Sequence, residues 1–292
     1  MIYNTNNIKI TICNTNSILS VAKNLFLLIR TKGAELVKNK IIIILITILT
    51  TALVITGIFF IVRTAKMNEY KNTDIKLPDG FTITAHTGCM DTEENTLESI
   101  KIGAENGASI VEFDLYFTKD GEPVLAHDEP VGGEITLDEA FEYISKIPNI
   151  KVNVDVKTCD ALGKVYPLAE KYGIEDRIFY TGINEEDVET VKNDSPEVAY
   201  YLNMDVKKSK ATDREYLISL VEKVKNAGAV GINFNYKTAT KELVDIFREN
   251  GLLVSIWTVN DEYNMYKILS FLPDNITTRN PDELSRIVNE IE

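Results

Sequence analysis

The stretch "SIVEFDLYF", residues 109–117, decides how this chain is read. It carries enough Ile, Val, Phe, Leu and Tyr to be a buried strand, yet Glu112 and Asp114 stand in its middle. Successive residues of a strand point to opposite faces, so these two carboxylates lie side by side on one face. Like charges that close repel, and burying them unpaired costs several kcal/mol or forces protonation. The stretch therefore requires a compensating partner and a fold that delivers it.

Short β-branched runs of this kind recur from Phe81 onward and alternate with helical patterns. Eight strands are expected: "FTITAH", "SIVEFDLYF", "IKVNVDVKT", "RIFYTG", "VAYYLN", "VGINFN", "LLVSIWTV" and "NITTR". The intervening helices are expected over Thr96–Asn106, Leu137–Lys146, Ala161–Tyr172, Glu185–Lys192, Arg214–Ala227, Lys241–Asn250, Glu262–Leu269 and Pro281–Ile291. Regular alternation implies parallel strands joined by crossover helices. The length after residue 71 suits an eight-fold α/β barrel, a (β/α)8 TIM barrel. A doubly wound open sheet is the competitor. No Gly-rich phosphate loop follows the first strand, and polar residues gather at the C-terminal ends of many strands; both features favour the barrel.

Residues 41–62, "IIIILITILTTALVITGIFFIV", carry no charge. A helix of that length rises roughly 33 Å, close to the hydrocarbon thickness of a bilayer. The run exceeds the apolar part of a signal peptide, and no clear small-residue cleavage site follows it. A single N-terminal transmembrane helix is expected there. It follows a poorly ordered N-terminal segment (1–40) and precedes a linker (63–79) and the barrel (80–292). Charge divides at the same place. Residues 1–71 hold 9 Lys+Arg against 2 Asp+Glu, and the remainder holds 22 against 42. So acidic a domain repels phosphate backbones, which excludes nucleic acid as its partner. Arg30, Lys32, Lys38 and Lys40 before the span nearly balance Arg63, Lys66, Lys71 and Lys76 after it. Lys9 and Lys23 add to the first group, which places the N-terminus in the cytoplasm and the barrel outside. The cysteines, Cys13, Cys89 and Cys159, form no dense framework and are expected as free thiols.

In a barrel, the C-terminal ends of the strands converge on one mouth. Strand one ends with His86, strand two carries Glu112 and Asp114, and strand three carries Asp155 and Lys157 on one face. Trp257 ends strand seven, Arg279 ends strand eight, and His127 follows the short extended run "GEPVLA". Three carboxylates aimed at one volume make a hard-oxygen site suited to Ca²⁺ or Mg²⁺. A trio of acids salt-bridged to lysine is the competing reading. The chain has only two histidines, and both fall at this rim, where imidazole is well suited to proton transfer near neutrality.

The stretches "AHTGCMDTEENTLESI", "GASIVEFDLYFTKDGEPVLAHDE", "VNVDVKT" and "SIWTVN" resemble the glycerophosphodiester phosphodiesterase family. The resemblance runs from about Thr84 to the C-terminus. It implies Glu112, Asp114 and Asp155 as metal ligands, the last being Asp where Glu is more usual. It implies His86 and His127 as the acid–base pair and Lys157 as a phosphate contact. Glu94 and Asn95 match a Glu-Asn pair supporting the site, and Trp257 matches an aromatic that packs against glycerol or the head group. Two departures stand out. Thr87 occupies the place of an arginine that would grip phosphate, and Arg279, where the family has Asp, is expected to restore that charge. After His127, "DEPVGGEITLDEAF" replaces a small inserted domain, which predicts a more open site. The expected activity is hydrolysis of a small-molecule glycerophosphodiester to glycerol 3-phosphate and an alcohol at the membrane. The alternatives are cleavage of a lipid head group and a non-catalytic barrel that binds phosphorylated polyols.

Overall fold

The computed structural model describes residues 35–291; of the N-terminal segment, residues 1–34 lie outside that range. Helix α1 runs over Glu35–Lys71. It is long and apolar enough to cross a membrane, with its side chains from Ile43 to Val62 open to the surroundings. The chain divides into two compact units at Thr64/Ala65, and the rest of this description concerns the second. There the last turns of α1 are helix where a linker is expected. No glycine or proline interrupts the run before Asn72, and Tyr70 stacks edge-on against Tyr263 at 5.9 Å while Lys71 pairs with Glu262 at 2.9 Å. Ile75, further on, is buried in the core.

Strands β1 (Thr82–Ala85), β2 (Ile110–Phe117), β4 (Lys151–Val156), β5 (Ile178–Ile183), β6 (Tyr200–Asn203), β7 (Gly231–Asn235), β8 (Leu253–Trp257) and β9 (Asn275–Thr278) pair in parallel. The β1–β9 and β1–β2 pairings close the sheet into a barrel. Each of the eight expected runs supplies one of these strands. The short strand β3 (Pro123–Leu125) folds back antiparallel on β2, outside the ring, and is the "GEPVLA" segment.

Helices α2 (Leu97–Glu105), α3 (Leu137–Ser145), α4 (Val165–Lys171), α5 (Val188–Asp194), α6 (Arg214–Ala227), α7 (Lys241–Glu249), α8 (Glu262–Leu269) and α9 (Pro281–Ile291) fill the crossovers. Their starts are written locally. Thr96, Asp213, Thr240 and Asp261 accept hydrogen bonds from the first turns of α2, α6, α7 and α8, and Thr136 with Glu139 forms a full capping box on α3.

Alternation along the strands decides where the core sits. Val111, Phe113, Leu115, Val152, Val154, Val156, Ile232, Phe234, Val254 and Ile256 face outward and pack with apolar helix residues such as Leu137, Phe141, Leu217, Leu243 and Phe247. The intervening residues are polar and face the lumen: Thr84, Glu112, Asp114, Asn153, Thr181, Asn233, Ser255, Asn275 and Thr277 are all buried. Hydrogen bonds satisfy them across neighbouring strands. Thr84 Oγ1 donates to Asn275 Oδ1 at 2.8 Å, Asn275 Nδ2 to Ser255 Oγ at 3.0 Å, and Asn233 Nδ2 to Asn203 Oδ1 at 2.9 Å. The apolar core is therefore the layer between sheet and helices, and the barrel interior is a packed, largely polar layer beneath the mouth.

Gly182 marks one of the tight points of that wall. Its φ is +80°, and a Cβ there would meet Val156 O at 2.2 Å on the neighbouring strand. Gly182→Ala is expected to destabilise the domain by about 2–3 kcal/mol through overpacking and left-handed strain. At roughly 2–4 °C per kcal/mol for a domain of this size, calorimetry on the full chain in detergent should show Tm falling by about 5–10 °C.

Candidate active site

Register on the two acidic strands brings the carboxylates together. Asp114 pairs with Asp155 across β2 and β4, and Glu112 pairs with Asn153 one step below. Paired residues of adjacent parallel strands point to the same side, so all three acids enter the lumen at its C-terminal end. One oxygen from each of Glu112, Asp114 and Asp155 lies within 4.8 Å of the others. The remaining expected residues arrive around them. His86, Glu94, His127, Lys157, Trp257 and Arg279 line the same cavity of about 500 Å³ as the three acids.

Each arrives by a short structural route. His86 immediately follows β1. Its Nδ1 lies 2.8 Å from the Thr87 carbonyl; a carbonyl only accepts, so Nδ1 bears a hydrogen and donates it there. His127 reaches the mouth because β3 doubles back along β2, where Ala126 N donates to Asp114 O at 3.1 Å. Its side chain is 61% exposed, and Nδ1 sits 3.2 Å from Asp128 Oδ1. Lys157 extends β4 and bridges Asp114 Oδ1 at 2.8 Å and Asp155 Oδ2 at 2.5 Å. Arg279 follows β9; its backbone N–H is held by Asn260 Oδ1 at 2.8 Å and its guanidinium donates to Glu94.

The electrostatics follow from burial. Glu112 is 5% exposed, and burial pushes its carboxyl up to about 7; nearby His86 pulls it down, while Asp114 and Asp155 push it further. Burial alone would lower the Lys157 ammonium, but Asp155 and Asp114 outweigh it and hold the group above its usual range. The salt-bridged reading of the acids is thus partly realised: one lysine serves two aspartates and leaves Glu112 without a lysine or arginine partner, with His86 Nδ1 3.8 Å away. Four carboxylates face two permanent cations in the cavity. Hard oxygens converging from three acids with that excess of negative charge fit a divalent cation such as Mg²⁺ or Ca²⁺.

Several lining residues lie outside the set expected as site residues: Asn153, Thr181, Asn203, Asn233, Thr258 and Thr277. Their signal is the polar residue at every second strand position, visible in "VNVDV", "GINFN" and "NITT". Thr87 does not line the cavity, so it leaves no gap in the wall where an arginine would stand. Cys89 is buried with its Sγ 3.6 Å from Ser99 O, and both Cys89 and Cys159 are free thiols. Burial, followed by Asp187, pushes the Cys159 thiol up to about 12, which keeps it unreactive near neutrality.

A model of the glycerophosphoryl diester phosphodiesterase family matches residues 82–151 and 136–283. The chain is 26% identical over 250 residues to a glycerophosphodiester phosphodiesterase of Caldanaerobacter subterraneus subsp. tengcongensis, covering 71% of this chain and 98% of that protein. Solved structures share the fold. A glycerophosphodiester phosphodiesterase from Parabacteroides distasonis superposes with a TM-score of 0.59 at 20% identity, over 72% of this chain and 98% of its own. A phosphodiesterase from Oleispira antarctica, solved with its product sn-glycerol-3-phosphate, superposes with a TM-score of 0.57 at 20% identity, over 73% and 97%.

The raised Glu112 carboxyl has a pH consequence with a definite sign. In the unfolded chain this group ionises near its ordinary value of 4.5, in the fold near 7. The unfolded state therefore binds fewer protons between those values, and the metal-free fold loses stability as pH rises from about 4.5 to 7. Glu112→Gln removes that loss. In EDTA-treated protein the variant is expected to be the more stable of the two above pH 7, by up to about 3 kcal/mol, and to lose the advantage below pH 4.5. Thermal melts across pH 4–8.5 check this.

Proposed function

Because the chain belongs to the glycerophosphoryl diester phosphodiesterase family, we propose that it is a membrane-anchored phosphoric diester hydrolase cleaving glycerophosphodiesters to glycerol 3-phosphate and an alcohol. The observation that carries this reading is the convergence of Glu112, Asp114 and Asp155 within 4.8 Å in a cavity also lined by both histidines, Lys157 and Arg279. A phosphodiester resists attack because its negative charge repels nucleophiles. Glu112, Asp114 and Asp155 would hold a divalent cation, Mg²⁺ or Ca²⁺, which when bound supplies charge neutralisation at the phosphate.

The chain's own residues do the rest. Lys157 and Arg279 donate hydrogen bonds to the non-bridging oxygens, Arg279 with the donors left over from its pairing to Glu94. Trp257 packs against the glycerol or head group at the mouth. The nucleophile is a water, or the substrate's own glycerol hydroxyl, in which case a cyclic glycerol phosphate forms first and a water then opens it to glycerol 3-phosphate with the proton-transfer roles reversed. One imidazole takes the nucleophile's proton as the new oxygen–phosphorus bond forms, and the other gives a proton to the alkoxide as the old bond breaks. Both imidazoles suit this work, since each has Nδ1 turned to an acceptor and Nε2 available for transfer. The product-bound Oleispira antarctica structure supports the glycerol 3-phosphate half of the assignment through its shared fold.

Helix α1 anchors the enzyme in this reading, with the barrel on the extracytoplasmic side as the lysine excess before the span favours.

The deciding experiment uses the full chain in detergent, stripped with EDTA and given back Mg²⁺ or Ca²⁺, with glycerophosphocholine, glycerophosphoethanolamine, glycerophosphoglycerol and lysophosphatidylcholine as substrates. Glycerol 3-phosphate is expected from the first three only after a cation is restored. His127→Ala should lower kcat at least about 100-fold with little change in cation affinity. Turnover of the lysolipid alone would move the assignment to a head-group phosphodiesterase, and turnover of nothing to a binding protein. Arg279→Ala should lower kcat/KM by about tenfold or more; an unchanged value removes Arg279 from the mechanism.

A further inference from the structure

Thr87 is buried to 1% exposure behind the catalytic cavity, and its connections run to two of the three acids. Its backbone N–H donates to Glu112 Oε2 at 2.7 Å. Its Oγ1 accepts the backbone N–H of Asn95 at 2.5 Å. Asn95, held at a φ of +59°, then grips Asp114 twice: its Nδ2 donates to Asp114 Oδ2 at 2.9 Å, and its Oδ1 accepts Asp114 N at 2.9 Å. The next residue, Gly88, seats the same loop on α2 by donating to Ser99 Oγ at 2.8 Å. A single threonine thus joins the carboxylate of Glu112 to that of Asp114 through the loop between β1 and α2.

We propose that Thr87 is the positioning residue of the acid cluster: it sets the spacing of Glu112 and Asp114, and through that spacing the affinity for a divalent cation. The inference rests on the metal-dependent reading above and deepens it. Threonine suits the place for three reasons. The site is closed to solvent, so a long cation has no room there. The hydroxyl is a compact acceptor for a main-chain N–H that would otherwise be buried unpaired. The branched Cβ restricts χ1 and so holds Oγ1 on Asn95. Oxygen ligands of a metal depend on such outer partners for their orientation, and losing one typically weakens binding by about 10–100-fold.

The test reads cation affinity rather than turnover. The full chain in detergent, stripped with EDTA, is titrated with Mg²⁺ and with Ca²⁺ by calorimetry, beside melts of the metal-free protein. Thr87→Val keeps the shape and loses the acceptor; it should weaken binding about 10–100-fold. Thr87→Ser restores the acceptor and should bind within a few-fold of wild type. Asn95→Ala should fall as far as Thr87→Val, and the double variant little further, because both substitutions cut one path. Thr87→Arg should fare worse than Thr87→Val in both affinity and Tm. Should Thr87→Val fail to fold, Asn95→Ala and Thr87→Ser carry the same comparison. Wild-type affinity in Thr87→Val or Asn95→Ala, or fully additive losses in the double variant, overturns the proposal. If the wild-type chain itself binds neither cation, the metal-dependent reading fails and takes this one with it.

Discussion

Three carboxylates crowded into the mouth of a barrel are the constraint to which the rest of this molecule answers. Glu112 and Asp114 are almost fully buried, and Asp155 lies directly beside Asp114 on the next strand. In a low dielectric such groups are held only by nearby positive charge, by hydrogen bonds to the ionised form, or by a proton. All three responses are present: Lys157 lies between the aspartates, the Thr87 N–H and the Asn95 amide reach Glu112 and Asp114, and the Glu112 carboxyl is raised toward neutrality. Each compensates in part, and the residual negative charge is what a divalent cation would meet.

The barrel around this cluster departs from an aliphatic packed lumen. Its interior surface is mostly threonine, asparagine, serine and acid, with Phe179 and Tyr201 in edge contact among them, while most valines, isoleucines and phenylalanines of the same strands face the helices. That arrangement is stabilised by hydrogen bonds between the buried amides and hydroxyls, many of them across adjacent strands, as in the chain from Thr84 through Asn275 to Ser255. The polar interior also gives the mouth its character. A substrate with a charged phosphate and a polyol finds hydrogen-bonding groups on the wall, with Trp257 as the apolar element.

Much of this was legible from residue order. Alternation located all eight barrel strands, and His86, Glu112, Asp114, Asp155, Lys157, Trp257 and Arg279 were placed at the mouth by their positions at the strand ends, whereas Glu94 was expected from the family resemblance alone. Other features were not legible. The helix that ends at Lys71 reads as a linker because its stabilising contacts, Tyr263 and Glu262, lie nearly 200 residues away in the chain. Thr87 reads as a missing arginine because sequence shows which side chain is present and not which way it points.

The period of two, the turn and capping residues and the 22-residue uncharged run are local signals, written in neighbours along the chain. By themselves they determined the strand–helix alternation, the apolar span and the identity of the polar residues available for chemistry. Distances between strands are set by register and barrel closure, which depend on packing between segments far apart in the chain. Only the tertiary structure therefore decided that Glu112, Asp114 and Asp155 come within 4.8 Å of one another, that Lys157 serves two of them, and that Thr87 stands behind the site rather than in it.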